Sequence, residues 1–146
     1  GDFSLYVHRT SATDASMAPP GHAGFYALAP VAHLGKSKAD WDGAFGQQFA
    51  DAILDEVEAR VLPGLRANLV TSFHYTPADF GRDLSAHLGS AFSLEPVLWQ
   101  SAWFRAHNRD DVISNLYFVG AGTHPGAGIP GVVGSAKATA QLMLDL

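Results

Sequence analysis

The segment from Asn115 to Lys137 constrains the fold of this chain more than any other part of the sequence. An apolar run at residues 116–119, typical of a β-strand, leads into a loop with six glycines between Gly120 and Gly134, and an Ala-rich helical pattern follows to Leu146. Glycine allows the main chain to come close to a ligand, and the free N–H groups at a helix start favour an anion. The order of strand, glycine loop and helix therefore predicts a cradle for a nucleotide or a flavin cofactor.

Two familiar glycine motifs do not fit this loop. Residues 126–131 match the pattern G-x-G-x-x-G, but a dinucleotide fingerprint also needs a second strand and an acidic residue about 20 positions further on. The sequence stops at Leu146, so we expect another kind of cofactor contact. A phosphate-binding P-loop requires a lysine where Val132 stands. The remaining alternative is tight helix packing through Gly134 and Ala138, which explains less well why the loop holds so many entropically costly glycines.

Composition and charge narrow the class of protein. The chain has 146 residues, of which 47% are hydrophobic, and this suits one ordinary globular core. Its net charge is -5 with nine Lys and Arg and no basic cluster, which argues against a nucleic-acid partner. Cysteine is absent, which excludes disulfides and thiolate metal sites and fits a cytoplasmic location.

The sequence predicts no metal site, no hydrolase and no membrane helix. Its seven histidines show no spacing typical of metal ligation, and no G-x-S-x-G motif is present. Residues 112–136 carry no charge and could reach across a bilayer, but their prolines and glycines argue against a spanning helix.

Hydrophobic patterning predicts the other elements. Strands are expected at residues 3–9, 24–29 and 69–75. From Asp40 onward, large apolar residues recur at every fourth position, which predicts an amphipathic helix that ends at Pro63 and Gly64. Thr76 and Pro77 have the residue types that open a further helix.

Residues 90–104 are apolar and aromatic, and their periodicity favours neither a helix nor a strand. They include Trp99, Trp103 and Phe104. Two interpretations stay open for this segment: it lines a pocket, or it fills a core.

Three separated motifs resemble a single family. They lie at residues 2–8 (D-F-S-L-Y-V-H), at residues 101–109 (S-A-W-F-R and H-N-R) and at residues 120–139 (G-A-G-T-H-P-G-A-G-I-P-G and G-S-A-K-A-T). Together they resemble the carboxyl-terminal third of bacterial-type phytoene desaturases, FAD-dependent enzymes of carotenoid biosynthesis. The resemblance covers nearly all of the chain. The sequence also begins without an initiator Met, so we expect a processed or truncated product.

The resemblance implies an α/β fold, a mixed α+β fragment of an amine-oxidase-like, Rossmann-type FAD/NAD(P)-binding flavoprotein. Residues 1–106 would complete the substrate-binding domain, and residues 107–146 would return to the FAD-binding domain. The amino-terminal glycine fingerprint of such enzymes is absent from the sequence, so the FAD site in this chain is expected to be incomplete.

The same resemblance implies which residues contact the cofactor. The residues expected near the flavin ribitol and pyrophosphate are Gly120, Ala121, Gly122 and Thr123. The residues expected to present N–H groups to the isoalloxazine ring are Gly131, Val132 and Val133. Many relatives carry an acidic residue where Ala121 stands, so the main chain is expected to bind the ribitol here.

The implied reaction removes two hydrogens from a C–C bond of phytoene or a related long polyene, with the flavin accepting hydride. His124 is the local candidate for the proton acceptor, and the alternative for it is a hydrogen-bonding or loop-ordering role. The implied partners are the polyene and the missing amino-terminal portion, with peripheral membrane contact and a homo-oligomer as further expectations. Two alternatives stay open: a non-catalytic folded or oligomerising fragment, and a small nucleotide-binding module.

Overall fold

The computed structural model describes residues 4–144, which form two compact units, one up to Ala78 and one from Asp79 onward. The strands are β1 (Tyr6–Arg9) and β2 (Phe25–Leu28), and the helices are α1 (Thr10–Thr13), α2 (Ala44–Arg60), α3 (Leu65–Asn68), α4 (Pro77–Leu84) and α5 (Ile129–Leu144). Short 3-10 turns occur at Ala15–Met17, His87–Gly89, Leu98–Gln100 and Ala102–Phe104. This mixture of helices and strands agrees with the coarse fold prediction.

The first unit begins with an antiparallel hairpin of β1 and β2. Tyr6 lies opposite Leu28, and Arg9 lies opposite Phe25. The long connection is closed by the Thr10 hydroxyl, which donates to the Gly24 carbonyl at 3.2 Å. Both predicted strands are confirmed, although the start of the first prediction falls outside the described residues.

Helix α2 packs its apolar side against Trp41, which precedes it. The Trp41 ring meets the rings of Phe45 and Phe49 edge to face, with centroids 5.0 and 5.7 Å apart. Among the described residues, Trp41 and Val57 are the buried hydrophobic side chains of large size. The predicted amphipathic helix is confirmed, but it begins at Ala44 because the Asp40 carboxylate accepts the Gly43 N–H in a turn before it.

An arginine on α3 binds two carboxylates of α2. Arg66 donates from Nη1 to Asp51 at 3.0 Å and from Nε to Asp55 at 3.0 Å. The hydrogen bond from Arg66 lowers the pKa of Asp51, and Gln47 adds to this effect. These contacts fix the short helix α3 against the carboxyl-terminal half of α2.

Two predicted strands are wrong. Residues 69–75 form no regular element, and Phe73 within them is 93% exposed. Residues 116–119 form no strand either, since Tyr117 makes only an isolated antiparallel bridge with Arg109. A strand needs partners along its length, whereas residues 116–119 pair with another segment only around this bridge.

The second unit is dominated by turns and loops before α5. The aromatic segment, which we define as residues 98–104, is largely exposed, with Leu98 at 78%, Trp99 at 74% and Trp103 at 68%. Within the described residues this segment therefore does not fill a core. The proposed domain boundary between Ala106 and His107 stays a prediction.

Candidate functional site

The glycine loop, residues 120–128, contains three glycines with a left-handed backbone. Their φ angles are 117° at Gly120, 139° at Gly126 and 87° at Gly128, a region that favours glycine. A side-chain carbon added at Gly120 or at Gly128 would meet no atom within 4 Å. A ligand can therefore reach the main chain at these two positions, which is what a cofactor cradle requires.

Two other glycines serve packing instead. A side-chain carbon at Gly131 would lie 2.5 Å from the carbonyl oxygen of Gly126, too close for any real contact. One at Gly126 would lie 3.3 Å from Nε of Arg105. Gly131 thus lets the first turn of α5 lie directly on the glycine loop.

The start of α5 has fewer free donors than the sequence suggested. The helix begins at Ile129, and the N–H of Val132 donates to the Gly128 carbonyl at 2.9 Å. The N–H of Val132 is therefore used within the helix. The side chains of Val132 and Val133 are 37% and 63% exposed, so a ring placed here would meet apolar surface.

Behind the loop lies a buried group of polar side chains, which we call the Asn108 cluster. Its members are Asn108, Thr123, Ser135 and Thr139, whose exposed fractions are 5%, 7%, 0% and 7%. The Asn108 amide nitrogen lies 2.9 Å from Oγ of Ser135 and 3.2 Å from Oγ1 of Thr139. Buried polar groups are costly unless they are hydrogen-bonded, and these are bonded to one another.

The Asn108 cluster holds the glycine loop by its main chain. The N–H of Gly120 donates to Oγ of Ser135 at 3.1 Å, and the Thr123 hydroxyl donates to the Gly120 carbonyl at 2.9 Å. The Thr139 hydroxyl donates to the Phe118 carbonyl at 2.9 Å. Helix α5 and the loop are therefore joined by hydrogen bonds as well as by close glycine contact.

Arg105 is buried beneath the loop with an exposed fraction of 5%. Its Nη1 donates to the carbonyl of Ala121 at 2.6 Å and its Nη2 donates to the carbonyl of Leu94 at 3.2 Å. One guanidinium thus ties the glycine loop to a turn far earlier in the sequence.

His124 takes part in ordering the loop. Its Nδ1 lies 3.0 Å from the carbonyl oxygen of Ala102, and its ring faces that of Trp103 at a tilt of 75°. Because a carbonyl only accepts hydrogen bonds, Nδ1 carries the hydrogen of this contact, and in the neutral ring Nε2 is then the acceptor nitrogen. The main-chain N–H of His124 also donates to the Ala106 carbonyl at 2.9 Å.

The Asp110 carboxylate stabilises a turn that precedes residues 116–119. Asp110 accepts the N–H groups of Ile113 and Val112, at 2.7 and 2.9 Å, and these hydrogen bonds lower the pKa of Asp110. The ionised side chain therefore stabilises a tight turn immediately before the apolar run.

The structure brings together part of the site predicted from the sequence. Gly120 and Thr123 meet through the Asn108 cluster, and Gly131 packs on the same loop. The hydroxyl of Thr123 is committed inside the cluster and its N–H donates to the Gly120 carbonyl at 3.2 Å, so neither is a free donor to a cofactor. Contact of any of the predicted residues with a cofactor stays a prediction.

Sequence reasoning assigned no role to Asn108, Arg105, Ser135 or Thr139. Ser135 and Thr139 are four positions apart in an Ala-rich helix, which places both hydroxyls on one face. That spacing could have predicted a polar contact on this face of α5. Nothing local in the sequence identifies Asn108 as their partner, because it is 27 residues from Ser135.

Residues 4–144 contain neither a cluster of metal-binding side chains nor a membrane-spanning helix. The described part of the chain holds no group of three or more His, Asp or Glu side chains placed to bind a metal ion. No helix within it is long and apolar enough to cross a membrane.

Comparison with known proteins places the chain in a family. The family described as "Flavin containing amine oxidoreductase" matches residues 6–144. The chain is 63% identical to the phytoene desaturase (lycopene-forming) of a Paracoccus species and 64% identical to that of Pseudescherichia vulneris, over 99% of its own length. It is 45% identical to the neurosporene-forming phytoene desaturase of Rhodobacter capsulatus.

These relatives are much longer than the chain. It spans 28% of the Paracoccus protein, 29% of the Pseudescherichia protein and 28% of the Rhodobacter protein. The resemblance to bacterial-type phytoene desaturases is confirmed over this span. With the family matched along almost all of its length, the chain belongs to the flavin containing amine oxidoreductases.

Proposed function

We propose that the chain is the carboxyl-terminal segment of an FAD-dependent phytoene desaturase, an oxidoreductase acting on a CH–CH bond. The observation that carries the proposal is an identity of 60–64% over 99% of the chain to relatives named phytoene desaturase. The open main chain at Gly120 and Gly128 fits the close approach of such a cofactor. The substrate would be phytoene or a related long polyene.

The glycine loop would hold part of the cofactor. Gly120, Ala121, Gly122 and Thr123 would contact the ribitol and pyrophosphate through the main chain, since none of them supplies a carboxylate. FAD, when bound, would supply a two-electron acceptor for the dehydrogenation. The remainder of its site would come from outside this chain, so the isolated segment is expected to be inactive.

The start of α5 would border the isoalloxazine ring. Gly131 brings the helix onto the loop, and the exposed side chains of Val132 and Val133 would exclude water from one side of the ring. This placement supports a division of the chain between two domains. Residues 107–146 would close a Rossmann-type FAD-binding domain, and residues 1–106 would belong to the substrate-binding domain.

The catalytic base is not assigned. His124 is a candidate because its Nδ1–H is bonded to Ala102, which leaves Nε2 able to accept a proton. The same hydrogen bond supports its alternative role in ordering the loop. We further propose a cytoplasmic protein with peripheral membrane contact, since a long polyene partitions into lipid, and a homo-oligomeric state.

The test uses the full-length protein that carries this segment. We expect it to purify with bound flavin, seen in its visible spectrum, and to convert phytoene in lipid vesicles to more unsaturated, coloured polyenes resolved by chromatography. The isolated 146-residue chain should take up far less FAD in the same titration. A colourless full-length protein that leaves phytoene unchanged would instead favour a non-catalytic fragment.

A further inference from the structure

We propose that Asn108 is a positioning residue that sets the conformation of the cofactor-facing main chain at Gly120 through Ser135. The inference rests on the proposed function, because it concerns how this chain holds FAD. Asn108 is buried behind the loop and does not itself face the open space at Gly120.

The three hydroxyl protons of the Asn108 cluster fix the directions of its hydrogen bonds. Each hydroxyl has one hydrogen to donate. Thr123 donates to the Gly120 carbonyl, and Thr139 donates to the Phe118 carbonyl. The 2.7 Å contact between the Thr123 and Ser135 hydroxyls therefore has Ser135 as its donor.

Asn108 is the donor to the hydroxyls of Ser135 and Thr139. With their own protons committed, Ser135 and Thr139 can only accept from the side chain of residue 108. The two hydrogens of the Asn108 amide are shared among these hydroxyls and the Phe118 carbonyl, with the shortest contact, 2.9 Å, to Ser135 and contacts of 3.2 Å to Thr139 and Phe118. The amide orientation is fixed as well, because its oxygen in the same place would face the Phe118 carbonyl, 3.2 Å away.

Ser135 connects Asn108 to the main chain of the glycine loop. Ser135 Oγ receives both the Asn108 amide and the Gly120 N–H, while Thr123 holds the Gly120 carbonyl. Both polar groups of Gly120 are thus fixed, at a φ of 117° and beside open space. A change in the donor at residue 108 reorients Ser135 and then the peptide that would meet the cofactor.

The proposed role of Asn108 depends on the hydrogens that its amide donates. The substitution that tests it therefore removes these hydrogens and keeps the shape of the side chain. Asn108→Asp replaces the two donated hydrogens by an acceptor that competes for the protons of Ser135 and Thr139. We expect full-length N108D to bind FAD about tenfold more weakly, the effect of losing one well-formed hydrogen bond in the site. The visible spectrum of the flavin that remains bound should also shift, since the spectrum reports the surroundings of the ring.

Two further variants separate positioning from simple loss of stability. Asn115→Asp makes the same chemical change at an exposed site and should leave FAD affinity, spectrum and melting temperature unchanged. Val57→Ala shortens a buried apolar side chain of α2, outside the Asn108 cluster, so it should lower the melting temperature while FAD affinity and spectrum stay near those of the parent.

Each outcome decides the matter. A folded N108D protein with the parent's FAD affinity and flavin spectrum overturns the inference, as does V57A perturbing the flavin as strongly as N108D. If N108D does not fold, Ser135→Ala breaks the same link to Gly120, and an unchanged flavin in S135A overturns the inference. A parent protein without flavin contradicts the proposed function, and that result is distinct from any difference between variants.

Discussion

At the scale of single residues, the glycines near the cofactor-facing loop divide between two tasks. Gly120 and Gly128 leave the main chain open, whereas Gly131 lets a helix lie against the Gly126 carbonyl. The sequence alone cannot separate these tasks, because a glycine that leaves the main chain open and a glycine required for packing are the same residue type. The contact that an added side-chain carbon would make does separate them.

Gly131→Ala should therefore destabilise the chain. Its new carbon would lie 2.5 Å from the Gly126 oxygen, and such overpacking costs about 1–3 kcal/mol. Gly134→Ala is the matched control in the same helix, since its carbon would lie 3.4 Å from Pro125 and should be neutral or stabilising. Urea unfolding followed by circular dichroism measures both, and equal stabilities of the two variants would contradict the packing role of Gly131.

Arg105→Lys tests the buried guanidinium. A lysine ammonium cannot span the carbonyls of Ala121 and Leu94 as the planar fork does, so one of them loses its partner. We expect a loss of about 1–3 kcal/mol in the free energy of unfolding. Arg109→Lys, at an exposed position, is the control and should change stability little. If Arg105→Lys lowers the free energy of unfolding no more than Arg109→Lys does, the two carbonyl contacts do not stabilise the fold.

At the scale of elements, local patterns were predicted well and non-local pairing was not. Helix α2 and helix α5 follow from periodicity within each segment, and the β1–β2 hairpin joins segments close in sequence. Residues 116–119 have strand-like composition, yet only Tyr117 bridges another segment. Likewise, the donors and acceptors of the Asn108 cluster come from three separate segments, so sequence reasoning placed the loop but missed what holds it.

The contact between α2 and α3 should weaken in acid. Arg66 lowers the pKa of Asp51, so this carboxylate is ionised more readily in the folded chain than in the unfolded chain. The stabilisation is then fully present above the unfolded aspartate pKa, about 3.9, and is lost as the pH falls through the lower folded value. The pair is exposed, so the effect should be small and reduced by salt.

Unfolding at about pH 6 and about pH 3 measures this effect. Arg66→Gln should be less stable than the parent at the higher pH, and the difference should be smaller at the lower pH. Arg9→Gln removes an exposed arginine that contacts Ser11, and it should keep the parent's pH dependence. A constant difference between R66Q and the parent across both pH values would contradict an ionised contact.

At the scale of the whole molecule, much apolar surface of the described chain is exposed. The aromatic segment is one source, and Phe73, at 93% exposure, is another. Several large exposed apolar side chains within one short segment, as in the aromatic segment, are typical of an interface. Under the proposed function, the rest of the full-length desaturase is the expected cover.

The isolated chain should therefore self-associate as its concentration rises. Leu98 and Trp99 are adjacent, 78% and 74% exposed, and burying such side chains drives association. The double variant L98S/W99S should sediment as a monomer at concentrations where the parent forms larger species. Phe73→Ser removes a single apolar side chain elsewhere and should leave most of the association in place. If the parent sediments as a monomer at every concentration, or if F73S abolishes association as fully as the double variant, the aromatic segment is not the surface that requires a cover.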